Sequence, residues 1–416
     1  MTSKGIHLYS LKPFSYIFNG TITMKFSKRA KEAEQSPSLS LAETMRKLRS
    51  NGTEITNFGT RPDVPSHVID AAKLFLDSGK SCEYTDPRGL TDLRLAISKK
   101  LERENGIEVN PDTEVVVTLG GKQAIFAALM ALIETGDEVL VEDPGWFCFK
   151  TIVSLTGGIP KPVKLHEKDS FLLNVEEINK QISTKTKILM LCNPHNPTGS
   201  VHTRDNLEKI AKLVQKNDLI VIADECWQHL LYDGNKHISF ASLDGMRERT
   251  VTVNTTSKIY NMAGWRVGWA SGTKEIIEKI TAIQATSVTC PTSVAQAGAI
   301  AALNSNTGMG DLSFDQLKGQ YSGRRELVLE GIRKITGVTC IKPLGGIFMF
   351  PNFVKLGLTS TILSSRLLLE AGIGSVPGSE FGLNGEGHLR ILFTSPEEEI
   401  HRGLERMQKF FNTINP

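Results

Sequence analysis

The sequence predicts an α/β protein in which a mostly parallel sheet is covered on both faces by helices and is followed by a smaller α+β domain. Three observations carry this expectation. Short runs of β-branched and aliphatic residues alternate with helical patterns from residue 114 onward. Those runs are apolar almost throughout, as strands buried on both faces must be. After residue 315 the alternation gives way to long helices separated by shorter strands.

The elements follow in order. Glu114-Val-Val-Val-Thr-Leu119 reads as a buried strand, and Lys122 to Glu134 as a helix with Ile125, Leu129, Met130 and Leu132 apolar. Asp137 to Glu142, Thr186 to Cys192, Leu219 to Ala223 and Thr250 to Val253 read as further strands, with a helix around Asp205 to Lys216. Beyond them the pattern predicts a long helix over Gln316 to Ile335 and short strands near Val338 to Ile341 and Ile347 to Phe350. A strand over His388 to Phe393 and a final helix from Pro396 complete it.

The bulk properties exclude several classes of function. The chain has 416 residues, 40% of them hydrophobic, enough for a large core and more than one compact domain. A net charge of +3 with no basic stripe gives no nucleic-acid signature, and no apolar run approaches the roughly 20 residues that span a bilayer. The six cysteines, Cys82, Cys148, Cys192, Cys226, Cys290 and Cys340, show neither Cys-x-x-Cys pairs nor metal-ligand spacing. They read as reduced thiols in a reducing compartment, hence a cytoplasmic protein with no metal. Residues 1–31 lack any acid and carry Lys4, Lys12, Lys25, Lys28, Arg29 and Lys31, a loose match to an organelle transit peptide; the plainer reading is an N-terminal extension over residues 1–25.

In open α/β sheets, ligands bind beyond the carboxyl ends of the strands. Unusual residues stand at five such ends: Gly120-Gly121-Lys122, Asp143-Pro-Gly-Trp146, Asn193-Pro-His-Asn-Pro-Thr-Gly199, Asp224-Glu-Cys-Trp227 and Thr255-Thr-Ser-Lys258. Five strand ends on one rim predict one site. Gly121 and Lys122 open a helix directly after a strand, so their backbone N–H groups can face an anion. Asp224 ends an apolar strand, where a carboxylate needs a partner.

These strings, above all Asn193 to Gly199 and Ser257-Lys258 with Gly264-Trp-Arg-Val-Gly268, resemble the class I aminotransferases of pyridoxal 5′-phosphate (PLP) fold type I. The resemblance runs from about Phe26 to the C terminus, and Phe26-Ser-Lys-Arg-Ala-Lys with Gly120-Gly-Lys-Gln-Ala124 look like the aspartate/prephenate subgroup. It implies a segment over 26–70 that packs with the small domain, a PLP-binding large domain over 71–315 and a small domain over 316–416. It also implies that Lys258 holds PLP as a Schiff base and shuttles the substrate Cα proton, while Asp224 keeps the pyridine nitrogen protonated. Trp146 would stack on the cofactor ring, and Asn196 and Trp227 would reach its phenolic oxygen. The phosphate would fall to Gly121, Lys122, Thr255, Ser257 and Arg266, with Tyr84 arriving from the neighbouring subunit of a homodimer. Arg390 would grip the substrate α-carboxylate, Gly59 would let substrate approach the backbone, and Lys122 would recognise a distal carboxylate.

The expected activity is transfer of an amino group between an amino acid, aspartate or glutamate, and a 2-oxo acid. The sequence departs from the family at Trp227, where tyrosine is usual; an indole N–H only donates, whereas a tyrosine hydroxyl also accepts. That departure keeps open a PLP-dependent lyase, decarboxylase or oxidase. Arg88 stands where a small residue is common and would serve either the substrate mouth or the subunit interface. A ligand-sensing regulator on the same fold would need a DNA-binding domain ahead of Phe26, and that leader is too short for a winged helix.

Overall fold

The computed structural model describes residues 24–33 and 37–414. The expected extension over residues 1–25 lies outside the described residues except for Met24 and Lys25, both exposed. The large sheet contains β1 (Val115–Thr118), β2 (Glu138–Asp143), β3 (Ile159–Lys164), β4 (Thr186–Cys192), β5 (Ile220–Asp224), β6 (Thr250–Thr255) and β7 (Gly268–Ser271). Their order is β1-β7-β6-β5-β4-β2-β3; β7 runs antiparallel to both of its neighbours and the other pairs are parallel.

The period-2 geometry of a strand explains the continuous apolar runs. On β4 and β5, Leu189, Leu191, Val221 and Ala223 face one cluster, which the helix Arg204–Lys216 covers with Leu207, Ile210, Ala211 and Val214. Ile188, Met190, Cys192 and Ile222 face the other, closed by Ala124, Ile125, Ala128 and Leu129 of the helix Gly121–Leu132. Both faces are buried, so on β4 and β5 the apolar run continues almost to the strand ends. Two strands carried no strand signal in the sequence. In β3, Ile159-Pro-Lys-Pro-Val-Lys holds two prolines that only an edge strand tolerates, and β3 is the edge. In β7, Gly-Trp-Ala-Ser lacks β-branched residues and gains its place from pairing on both sides.

A second sheet contains β8 (Phe348–Met349), β9 (Val376–Pro377) and β10 (Leu389–Leu392), antiparallel in the order β8-β10-β9. The long helix Phe314–Arg333, started by a Ser313/Gln316 capping box, and the final helix Glu397–Ile414 accompany it. The strand expected near Val338 to Ile341 is reduced to one bridge, Thr339 to Asn352. Arg333 takes the Cys340 carbonyl at 3.2 Å and Pro343 brings no N–H, so the ladder cannot extend. From the N-terminal side, Thr56 exchanges backbone hydrogen bonds with Gly372 (3.0 Å) and Gly374 (2.8 Å), and Phe58 accepts from Thr394 at 2.7 Å. Among the described residues no helix is long and apolar enough to cross a membrane.

Beneath the ends of β5 and β6 lies a buried polar network. Lys100, 1% exposed, donates to Asn105 (2.6 Å) and Gln228 (2.7 Å). Asn254, next to Thr255, donates to the same Gln228 oxygen (2.6 Å) and to the Glu225 carbonyl (3.0 Å). Glu225 in turn accepts from Asn105 at 2.9 Å and pairs with His237 at 3.0 Å. Burial pulls the Lys100 amine down to about 8, with Glu104 and Glu225 opposing that shift. Removing the amine strips donors from buried acceptors, so Lys100→Met is expected to lower unfolding free energy by about 3–5 kcal/mol. Urea denaturation checks this, and a midpoint unchanged from wild type would contradict it.

Candidate active site

The aligned registers bring the strand ends together. Cys192 pairs with Asp224 across β4 and β5, and Asp224 with Val253 across β5 and β6. The turn after β6 then carries Lys258 so that its Nζ lies 4.8 Å from the centre of the Trp227 ring. Burial lowers the Lys258 pKa, and the charges of Arg61 and Arg390 add to that, against the pull of Cys226 and Asp224. A desolvated amine of this kind is a better nucleophile than a solvated lysine.

Asp224 accepts from the Cys226 N–H at 3.1 Å and forms no ion pair among the described residues. Burial raises its pKa, while the Cys226 hydrogen bonds and Lys258 act in the opposite sense. The carboxylate is thus set at a strand end with its charge unmatched. Burial and Asp224 also push the Cys226 thiol up.

A cradle for an anion forms around the start of the helix Gly121–Leu132. Gly120 has φ +83°, and a Cβ there would stand 2.6 Å from Arg266 Nη2. Arg266 itself is left-handed (φ 56°) and donates to Ala263 and Leu119, both at 2.9 Å. A Cβ on Gly268 would stand 2.6 Å from Gly121 N. Facing them, the Thr255 and Ser257 hydroxyls are 2.7 Å apart. Close backbone approach, a guanidinium, two hydroxyls and the helix N-terminal N–H groups make a site whose chemistry suits a phosphate.

Arg390, on β10, donates to Asn196 Oδ1 at 3.2 Å, which leaves the Asn196 amide N–H groups to donate elsewhere. Phe348 and Phe381 lie 5.8 and 5.0 Å from the guanidinium, and burial lowers its pKa to about 10. Trp146 is half-buried, with Lys122 Nζ 5.4 Å from its ring centre. Gly59 packs beside the end of β10, where a Cβ would stand 2.5 Å from Leu392. Tyr84 is not brought to this cluster: it is 87% exposed. Arg88 is committed locally, to Asp86 at 3.0 Å. Two residues that sequence reasoning did not assign to the site also stand here, Cys226 against Asp224 and Arg61 near Lys258. The place of Cys226 on the same turn as Asp224 and Trp227 was the available signal.

The family model for aminotransferase class I and II matches residues 53–407. The chain belongs to the class I and II aminotransferases. An aspartate aminotransferase from Pyrococcus abyssi is 40% identical over 347 residues, covering 83% of this chain and 88% of that one. An aspartate/prephenate aminotransferase from Thermus thermophilus is 33% identical over 92% of this chain and 98% of its own. Among solved structures, aspartate aminotransferase from Thermus thermophilus with maleate superposes with a TM-score of 0.86 at 33% identity, covering 93% and 100% of the two chains. The aromatic aminotransferase from Pyrococcus horikoshii gives 0.82 at 38% identity, covering 89% and 99%.

As an aminotransferase of this family the protein is a PLP-dependent enzyme. Its residues fit that cofactor: an unmatched buried carboxylate for a pyridinium nitrogen, a desolvated lysine for an aldehyde, and a side-chain-free cradle with Arg266 for a phosphate.

Two buried histidines flank the turn that carries Asn196. The His195 ring contacts the Thr198 hydroxyl at 2.7 Å; the His202 backbone N–H donates to Asn193 Oδ1 at 3.1 Å, and its ring contacts Asn206 Oδ1 at 2.5 Å. Burial pulls His195 down to about 3 and His202 to about 4. An unfolded histidine binds its proton near pH 6.5, so between pH 6.5 and 4 the unfolded chain holds more protons and stability falls on acidification. His202→Gln is expected to remove about 2–3 kcal/mol of that loss between pH 6.5 and 4.5. Urea midpoints at both pH values measure it; the same acid loss in variant and wild type would contradict it.

Proposed function

We propose that the enzyme moves the amino group of an acidic amino acid, aspartate or glutamate, to a 2-oxo acid at the strand-end site around Lys258. The observation that carries this reading is the meeting of the Lys258 amine, the unmatched Asp224 carboxylate and the Arg390–Asn196 pair at one rim. PLP, when bound, supplies an aldehyde that condenses with amines and a protonated ring that withdraws electrons from the substrate Cα.

The chain's own groups hold and move the protons. Lys258 Nζ, made less basic by burial, would hold the cofactor and take and return the substrate Cα proton. Asp224 would keep the proton on the ring nitrogen. Asn196 and Trp227 would donate toward the ring oxygen, and Trp146 would stack on the ring. Gly121, Lys122, Thr255, Ser257 and Arg266 would hold the phosphate. Arg390 takes the α-carboxylate in a fork that Asn196 aligns, beside the backbone at Gly59. Lys122, exposed beside Trp146, receives the distal carboxylate. The aspartate aminotransferases among the relatives support the acidic assignment.

The same reading makes the active unit a homodimer, in which Tyr84 reaches the partner's phosphate. Its support is the exposure of Tyr84 with that of Leu74 (72%) and Leu76 (52%) on the preceding helix Ser66–Asp77. The division at residues 70 and 315 belongs to it too, supported by the hydrogen bonds of Thr56 and Phe58 to residues 372–394. A cytoplasmic location is supported by six unpaired cysteines.

Lys122→Ala is expected to lower kcat/KM for aspartate and glutamate by roughly 30-fold or more and for alanine and phenylalanine far less. An equal loss on all four, or a wild type that prefers a neutral amino acid, would sink the acidic assignment. Mixing Tyr84→Phe with Lys258→Ala chains should restore about a quarter of wild-type activity, since half of the dimers are hybrids with one intact site. No gain over the separate variants, or full activity in a monomer, would remove the shared-site reading.

A further inference from the structure

The site holds more positive charge than its accounted ligands use. Arg266 faces the phosphate cradle, Arg390 is aligned for an α-carboxylate and Lys258 serves the cofactor aldehyde. Arg61 remains. It forms no hydrogen bond and no ion pair among the described residues, although it is largely out of water.

Its position is fixed from both sides. The Thr60 N–H donates to Ser395 Oγ at 3.0 Å, just beyond the strand that carries Arg390. The Pro62 carbonyl accepts from Asn261 Nδ2 at 2.7 Å, three residues after Lys258. Arg61 therefore stands on a segment clamped between the Arg390 strand and the Lys258 turn. Glu399, the acid against this segment, accepts from Thr56 and Thr60 instead. The side chain is close enough that its charge depresses the Lys258 amine, and burial lowers its own pKa. A desolvated guanidinium without a counter-charge is costly, and a bidentate anion is the partner its geometry suits.

We propose that Arg61 is a specificity-determining residue that receives the distal carboxylate of a dicarboxylic substrate, opposite the α-carboxylate fork of Arg390. This rests on the acidic-substrate reading above and adds to it a second cation besides Lys122. The α-carboxylate is the poorer candidate, because Arg390 is already oriented by Asn196 and boxed by Phe348 and Phe381.

The test uses the PLP-loaded enzyme and two unreactive ligands, maleate with two carboxylates and propionate with one, titrated by calorimetry and by the visible spectrum of the cofactor. Arg61→Gln is expected to weaken maleate by roughly 30-fold and propionate by less than about 3-fold, with Arg61→Lys between Arg61→Gln and wild type. Retention of the wild-type preference for maleate in Arg61→Gln overturns the proposal and leaves Lys122 as the distal group. Equal weakening of both ligands also overturns it, since Arg61 would then serve the α-carboxylate or the fold. A wild type that binds maleate no better than propionate removes the acidic-substrate reading itself. Should Arg61→Gln fail to fold, the maleate-to-propionate ratio of Arg61→Lys decides by the same criteria.

Discussion

The site is organised by a carboxylate with no counter-charge of its own. Asp224 ends β5 between β4 and β6, its charge disfavoured by burial and matched by no cation within salt-bridge distance among the described residues. An arrangement of that kind persists when a ligand supplies the missing positive charge. A protonated ring nitrogen is such a ligand, and the unmatched Asp224 carboxylate fits it. The polar network through Glu225, Gln228, Asn254 and Lys100 sits directly behind, so the turn that presents Asp224 and Trp227 is held by hydrogen bonds on its buried side as well.

Around Asp224, with Glu142 and Glu225 close by, the chain gathers cations. Arg266 lies across Gly120, where any side chain would collide with it. Arg390 is steered by the Asn196 oxygen, so the same contact orients the guanidinium and leaves the asparagine N–H groups to donate elsewhere. Lys258 is the exception, since its surroundings favour loss of its proton. Desolvation and neighbouring positive charge push it that way.

Trp227 changes the balance at Lys258. The amine lies 4.8 Å from the indole ring centre, a contact that favours its charged form and partly opposes desolvation. An indole can donate toward the cofactor oxygen but cannot accept from it. Phe348, edge-on to Trp227 at 5.2 Å, also borders Arg390, so the tryptophan is coupled by packing to the α-carboxylate fork.

The alternating apolar runs were sufficient to determine β1, β2, β4, β5 and β6 and the helices Gly121–Leu132 and Arg204–Lys216, because burial on both faces leaves a continuous signal. Residues whose role depends on where a strand stops, Asp224, Asn196 and Lys258, were legible for the same reason: a polar group directly after such a run falls on the rim. The edge strand β3 and the antiparallel β7 were not legible, since their prolines, glycine and small residues form strands only when a neighbour pairs with them. Nor could Arg61 be read from the sequence. Its place depends on clamps to Ser395 and Asn261, residues 335 and 199 positions away from their partners. Local pattern fixes which backbone is buried; which side chains share one buried space, and which charges go unmatched there, is decided by long-range packing alone.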